Sequence, residues 1–190
     1  MKLGIYGGSF DPIHLGHMLV AQAAVEELGL DKLFFIPAAQ SPFKPEKVMT
    51  PSEARLQLLR LALTGKTNCE VDAQETNRGG ISYTIDTLRV YAKKFPTAKL
   101  FYLLGADNAA TLNEWREPAE LAKLAEFVAV PRPGGAVAVF PPPFRGRILK
   151  GFPVAISSSQ IRARVKAGLP IENLVPPFVA EAIHHGQLYI

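Results

Sequence analysis

Two histidines, His14 and His17, lie three residues apart just after a glycine-containing turn, and they are the strongest indication of a functional site in this sequence. The turn follows an apolar run at residues 2–6 and precedes apolar residues that recur at helical spacing. The unpaired N–H groups and the positive dipole end of a helix start attract phosphate. Histidines at positions i and i+3 share a helix face and can point toward that phosphate. This stretch therefore predicts a phosphate site.

The residues between strand and helix also allow a simpler interpretation. Gly7 and Gly8 permit a tight turn and let a ligand approach the backbone closely. However, a Gly-Gly pair can be only a turn, the pair Asp11-Pro12 only a helix-start signal, and a single histidine only a satisfied polar group. Their combination, after a strand and at the head of a helix, favours the phosphate site.

A second candidate phosphate site begins at Ser157, where three consecutive serines are followed by Gln-Ile-Arg and a helix to Lys166. One serine is enough to cap a helix, so three exceed what capping requires. Extra hydroxyls, free N–H groups and Arg162 on the first turn can bind phosphate. Capping alone remains the alternative.

Three further residues have both a functional and a structural interpretation. Lys44 lies in a proline-containing loop, residues 39–50, which is either a solvated connector or a mobile flap that brings the lysine to phosphate. Asp107 follows a strand and can accept two ribose hydroxyls or simply cap a helix. Trp115, the single tryptophan, is either partly buried in the core or a flat platform for an aromatic ligand.

The chain of 190 residues predicts one α/β domain spanning residues 1–190. Strand, helix and strand within residues 2–37 form a βαβ unit, so the sheet should be parallel, with ligands at the carboxyl ends of its strands. We predict a Rossmann-like, doubly wound, mostly parallel sheet with helices on both faces and a small C-terminal helical part. The last strand is expected at residues 153–156, after an irregular excursion at residues 134–147 to which no function is assigned.

The helix expected after Pro51 has Leu56, Leu59 and Leu63 at helical spacing, which should form its buried stripe. On this pattern Arg55 and Arg60 face water.

Composition restricts the class of protein. With 48% hydrophobic and 20% charged residues and a net charge of +4, the chain suits anionic small molecules such as nucleotides, but its charge is too weak to argue for nucleic acid. Cys69 is the single cysteine, which excludes an intrachain disulfide and a thiolate zinc cluster and favours a reducing compartment. No signal peptide or membrane-spanning run is evident. We expect a cytoplasmic protein that does not contact membranes.

The two phosphate motifs together resemble a known family. Residues 8–17 read Gly-Ser-Phe-Asp-Pro-x-His-x-Gly-His and residues 156–162 read Ile-Ser-Ser-Ser-x-Ile-Arg, a pair similar to that of the nucleotidylyltransferase superfamily. More closely, the chain resembles the bacterial nicotinate-nucleotide adenylyltransferases, from Lys2 to its C-terminus. Supporting segments are residues 41–44, 82–88, 105–108, Trp115 and 132–134.

That resemblance implies a reaction: AMP passes from ATP to nicotinate mononucleotide, giving deamido-NAD and pyrophosphate by direct attack at the α-phosphate. It also implies Mg²⁺ bound to phosphate oxygens, since no carboxylate cluster suggests a dedicated protein site. Expected partners are ATP and nicotinate mononucleotide, without nucleic acid or membrane; a homo-oligomer is left open.

The resemblance further assigns site residues. His14, His17, Lys44 and Arg162 would be catalytic contacts. The ATP site would contain Gly7, Gly8, Ser9, Phe10, Gly105, Asp107, Ile156, Ser157, Ser158 and Ser159. The mononucleotide site would contain Tyr83, Thr84, Trp115 and Arg132. No side chain is expected to be a metal ligand.

The sequence departs from the family at two positions. Phe43 stands where the family often has a histidine before the basic residue of the flap, so the flap contributes less charge or Lys44 suffices. Ser159 replaces a common threonine and keeps the hydroxyl.

Competing interpretations come from several classes. The His-x-Gly-His motif also resembles that of class I aminoacyl-tRNA synthetases, but this chain is too short for a tRNA-binding domain. Phosphopantetheine adenylyltransferases share the chemistry, and nicotinamide mononucleotide is another conceivable acceptor. A nucleotide-binding sensor without catalysis is the non-enzymatic alternative.

Overall fold

A parallel six-stranded sheet is the centre of the fold in the computed structural model, which describes residues 1–42, 46, 48–131, 133–135 and 137–190. The strands are β1 Lys2–Gly8, β2 Lys32–Pro37, β3 Cys69–Val71, β4 Lys99–Gly105, β5 Glu126–Val130 and β6 Gly146–Ile148. Their spatial order is β3-β2-β1-β4-β5-β6, and each neighbouring pair is parallel. This is the order of a doubly wound, Rossmann-like sheet, so the predicted fold class is confirmed.

Seven α-helices connect or follow the strands within the described residues. They are α1 Leu15–Leu28, α2 Ser52–Ala62, α3 Gln74–Arg78, α4 Thr84–Lys94, α5 Pro118–Leu124, α6 Ser158–Lys166 and α7 Pro177–His185. Short 3-10 turns at Ala106–Asn108 and Leu112–Glu114 follow β4. No helix in the described part of the chain is both long and apolar enough to cross a bilayer.

The sheet is covered on both faces because its strands are apolar on both sides. In β2, Leu33 and Phe35 join one buried cluster, and Phe34 and Ile36 join the other. Successive side chains of a strand point to opposite faces, so a continuous apolar run fills two cores at once. The first core contains residues of α1, α2, α6 and α7, and the second contains residues of α4 and α5.

The prediction of a last strand at residues 153–156 is wrong. The sixth strand is β6, which begins at the end of the stretch that we expected to be irregular and extends one residue beyond it, and residues 151–157 form no strand. All three residues of β6 are exposed at the edge of the sheet, so no apolar run marks them in the sequence. The backbone N–H groups of Lys150 and Gly151 instead donate to the Glu27 carboxylate, at 2.9 and 2.8 Å.

Arg55 of α2 is buried, with 1% of its surface exposed, so the prediction that it faces water is wrong. Its Nη1 donates to the carbonyl oxygens of Ser9, at 2.8 Å, and Ala38, at 2.9 Å. Its Nε donates to the carbonyl oxygen of Thr50, and its Nη2 donates to the Ser52 hydroxyl. One guanidinium thereby ties together the turns that follow β1 and β2.

The sequence does contain a signal for this burial. Leu58, Leu59 and Ala62 lie three, four and seven residues after Arg55 and are all buried, so Arg55 belongs to their helix face. The charge of the Arg55 side chain, taken alone, had suggested the solvent-facing side of α2.

Replacing Arg55 by alanine should lower the free energy of unfolding by about 3–5 kcal/mol, because the buried oxygens that it contacts lose their donor. Arg60→Ala, an exposed position of the same helix, should change it by less than about 0.5 kcal/mol. Urea denaturation of both variants measures the difference. Equal losses would contradict the anchoring role of Arg55.

Candidate active site

The first phosphate motif follows β1, at the point where the winding of the sheet reverses. Strand β1 lies between β2 and β4, and the connections leave the sheet in opposite directions from this point. The adjacent strands β1 and β4 end at Gly8 and Gly105. In open parallel sheets, ligands bind in the crevice outside the carboxyl ends of strands at such a reversal.

His14 and His17 form a reciprocal cap at the start of α1. His14 is the N-cap residue rather than part of the first helical turn, and its Nδ1 accepts from the backbone N–H of His17 at 3.3 Å. In return, the Nδ1 of His17 accepts from the backbone N–H of His14 at 3.3 Å. The two rings stack with their centroids 3.7 Å apart.

This cap determines where each imidazole carries its proton. An Nδ1 that accepts a hydrogen bond from an amide cannot also hold a proton, so in the neutral ring the proton is on Nε2. In their neutral forms, His14 and His17 therefore carry their ring protons on Nε2 at the start of α1. Burial lowers the pKa of His14 to about 4, so this ring is uncharged at neutral pH.

Aromatic rings fix the position of His17. The Phe10 ring lies 5.0 Å from the His17 ring, and the Tyr6 ring lies 6.0 Å from it. Phe10 has 1% of its surface exposed, so its side chain packs beneath the histidine and only its backbone can contact a ligand.

The two phosphate motifs contact each other, although more than 140 residues separate them in sequence. The Ser158 hydroxyl donates to the carbonyl oxygen of Pro12 at 2.9 Å. Arg162 Nη1 donates to the carbonyl oxygen of Asp11 at 2.6 Å, and its Nη2 donates to the Ser159 hydroxyl at 3.2 Å. The starts of α1 and α6 therefore form one continuous cradle.

Capping accounts for one of the three serines. Ser157 is the N-cap of α6, where its hydroxyl accepts from the backbone N–H of Gln160 at 3.3 Å. Ser158 and Ser159 instead contact the first motif and Arg162, so the capping-only alternative does not explain them.

A second group of predicted residues surrounds Tyr102 of β4, a residue that no motif in the sequence marks. The Thr84 hydroxyl donates to the Tyr102 hydroxyl at 3.1 Å, and the Trp115 ring packs edge-on at 6.1 Å from the Tyr102 ring. A Cβ atom at Gly7 would lie 2.7 Å from the Tyr102 hydroxyl. Only glycine leaves room there. Tyr102 thus contacts both the turn after β1, at Gly7, and the pair Thr84 and Trp115.

The remaining predicted residues have diverse surroundings. Tyr83 is the N-cap of α4, and the Arg116 guanidinium lies 4.7 Å above its ring. Asp107 is exposed on the 3-10 turn after β4, and Ile156 is half-buried against the first core. The predictions for Lys44, for the neighbouring Phe43 and for Arg132 lie outside the described residues.

Within the part of the chain that the structure describes, no group of three or more histidine, cysteine or acidic side chains could hold a metal ion. Asp11, the carboxylate beside the phosphate motifs, faces the Tyr189 hydroxyl at 3.0 Å and Arg162 at 3.9 Å. This donor set fits an ion held mainly by phosphate oxygens.

Comparison with known proteins agrees with this architecture. Residues 5–164 match the cytidylyltransferase-like family model. The chain is 41% identical to a probable nicotinate-nucleotide adenylyltransferase of Opitutus terrae, over 100% of this chain and 98% of that protein. The chain belongs to the cytidylyltransferase-like family, among the nicotinate-nucleotide adenylyltransferases.

Other members of that family give the same result. A probable nicotinate-nucleotide adenylyltransferase of Thermus thermophilus is 40% identical over 100% of both chains. The solved structure of Plasmodium falciparum nicotinic acid mononucleotide adenylyltransferase complexed with NaAD superimposes with a TM-score of 0.79. It covers 99% of this chain and 97% of that one at 19% identity, which supports the shared fold alone.

The buried, uncharged state of His14 predicts a pH dependence of stability. Its folded pKa of about 4 is below the ordinary 6.5, so the unfolded chain takes up a proton first as pH falls. Relative to His14→Asn, wild type should lose about 3 kcal/mol of stability as pH falls from 6.5 to about 4. Asparagine retains a capping oxygen without titrating. Urea denaturation across this range measures the difference, which would stay constant if the folded pKa of His14 were the ordinary 6.5.

Proposed function

We propose that this chain transfers AMP from ATP to nicotinate mononucleotide, giving deamido-NAD and pyrophosphate. The observation that carries the proposal is the contact of Arg162 with Asp11, which merges the two phosphate motifs into one cradle. Beside the first motif, the aromatic group of Tyr102 and Trp115 packs against Gly7. The names of the full-length curated relatives support the same activity.

The reaction needs no general base in this site. The phosphate of the mononucleotide is already ionised at neutral pH and attacks the α-phosphorus of ATP in line. A new bond forms between that phosphate oxygen and the α-phosphorus, while the bond to the bridging oxygen breaks and its electron pair leaves with pyrophosphate. Catalysis is then positioning and stabilisation of charge.

The histidine pair suits this task. The Nε2–H donors of His14 and His17 would bind the ATP phosphates and stabilise charge that builds on the α-phosphate. Since His14 is uncharged, it would act through a directed hydrogen bond rather than through net charge. Arg162 and Lys44 would hold the departing β- and γ-phosphates by charge.

Smaller groups complete the ATP site. The hydroxyls of Ser158 and Ser159 lie beside Arg162 and would assist in binding the phosphates. The ribose would bind at Gly105 and Asp107, and the adenine would lie near Ile156 and Ser157. The residues from Gly7 to Phe10 would contribute backbone groups.

The mononucleotide would bind beside the group of residues that surrounds Tyr102. Trp115, held edge-on by Tyr102, would stack on the pyridine ring, and backbone groups of Tyr83 and Thr84 would bind its carboxylate. Arg132 is assigned to the same substrate by the resemblance. Mg²⁺ would be held by phosphate oxygens of the nucleotide and, when bound, supplies positive charge to them.

Replacing His17 by alanine should lower kcat/KM by about 100- to 1,000-fold, because one donor to the developing charge is lost. His185→Ala changes an exposed residue in the last turn of α7 and should leave the rate unchanged. Release of pyrophosphate from ATP, Mg²⁺ and nicotinate mononucleotide measures the rate. Full activity of His17→Ala would contradict the assigned role.

The acceptor site should discriminate acid from amide. Backbone N–H donors that bind a carboxylate would face the NH₂ group of nicotinamide mononucleotide, so kcat/KM should be at least about 100-fold higher for nicotinate mononucleotide. Parallel assays with both acceptors and with phosphopantetheine measure this preference. Equal or greater turnover of phosphopantetheine would overturn the substrate assignment, and ATP binding without pyrophosphate release would indicate a sensor.

A further inference from the structure

Asp11 is a buried carboxylate at the junction of the two phosphate motifs, with 2% of its surface exposed. Its Oδ1 accepts from the Tyr189 hydroxyl at 3.0 Å, and its Oδ2 lies 3.9 Å from Arg162 Nη1. The same Nη1 donates to the Asp11 carbonyl oxygen at 2.6 Å. A buried carboxylate without partners is costly, so these contacts decide how Asp11 is oriented.

Tyr189 reaches Asp11 through a folded turn after α7. The backbone N–H of Gly186 donates to Ala182 O at 3.0 Å, and that of Leu188 donates to Ile183 O at 3.1 Å. Tyr189 itself has a φ of 69°, in the left-handed region that bulky residues rarely adopt. Its ring packs against the first core, so tertiary contacts hold this conformation.

We propose that Tyr189 is a positioning residue of the triphosphate site, which acts on Arg162 through Asp11. This inference rests on the proposed function, because the triphosphate is the ligand that Arg162 would hold. The Tyr189 hydroxyl fixes the rotation of the Asp11 carboxylate. Asp11 then holds the Arg162 guanidinium with one carbonyl and one carboxylate oxygen, while Ser159 accepts from the other end.

The Tyr189 hydroxyl remains protonated at neutral pH and can therefore always donate a hydrogen bond to Asp11. Burial and the neighbouring Asp11 charge raise the pKa of Tyr189 well above its ordinary value, so its hydroxyl keeps its proton at neutral pH.

A small displacement of Arg162 would matter for binding and catalysis. A guanidinium binds phosphate through a rigid fork of donors, so its orientation determines how many hydrogen bonds form. Misplacement of such a group by about 1 Å can cost on the order of 100-fold in rate. Loss of the Tyr189 hydroxyl leaves Asp11 free to turn, which weakens this control without removing any phosphate contact.

Tyr189→Phe is the direct test, and Tyr91→Phe is its matched control. The Tyr91 hydroxyl also donates to a carboxylate, Asp72 Oδ2 at 2.6 Å, but it belongs to the second core. Tyr189→Phe should raise both the Kd and the KM for ATP about five- to tenfold and leave the KM for nicotinate mononucleotide within about twofold. Tyr91→Phe should change neither constant. A merely structural effect would alter both variants and both substrates alike.

A double-variant cycle tests whether Tyr189 acts through Asp11. If it does, Tyr189→Phe combined with Asp11→Asn should bind ATP as weakly as Asp11→Asn alone. Additive losses, or an unchanged Kd in Tyr189→Phe, would overturn the inference.

The Kd for ATP is measured by calorimetry without acceptor, so it separates the two proposals. Wild type that binds ATP but releases no pyrophosphate would reject the proposed function and leave the comparison of Kd values to decide the role of Tyr189. Unchanged ATP binding in Tyr189→Phe, with an active wild type, would reject only the role of Tyr189. Wild type that does not bind ATP would overturn both.

Discussion

The site depends on the hydrogen bond from Arg162 to the Asp11 carbonyl, because it joins two segments 151 residues apart. Each segment alone is only a helix start with small polar residues. Together they place the Arg162 guanidinium against the backbone of the first motif, three residues before His14. The parallel sheet makes this possible, since the carboxyl ends of its strands share one edge. Arg55 stabilises the same edge, because its guanidinium donates to carbonyl oxygens in the turn after β1 and in the turn after β2.

The histidines serve the fold and the chemistry with different ring atoms. Their Nδ1 atoms cap α1, and this use directs their Nε2–H groups away from the helix backbone. The hydrogen bonds that cap the helix therefore also determine the tautomer of each neutral imidazole. The orientation of these two imidazole rings is therefore set by the formation of the helix itself.

Sequence patterns predicted the fold well where the signal was local. Apolar runs predicted the buried strands, and the glycines and Asp-Pro pair predicted the turn between β1 and α1. Arg55 was missed because a charged side chain normally faces water, and only its tertiary oxygen partners reveal its burial. Strand β6 was missed because an exposed edge strand has no apolar pattern. The importance of Tyr102 and Tyr189 likewise depends on contacts distant in sequence, whereas the roles of the predicted site residues remain predictions.

The packing of Tyr102 against Gly7 also limits which substitutions this protein can accept. The hydroxyl of Tyr102 occupies the space that any side chain at position 7 would need. The same hydroxyl is bonded to Thr84, and its ring supports Trp115. Gly7, Tyr102, Thr84 and Trp115 thus form one packed unit. In the mononucleotide site proposed above, a substitution at Tyr102 would therefore also disturb the turn after β1, so specificity is more readily altered around Tyr83 and Arg116.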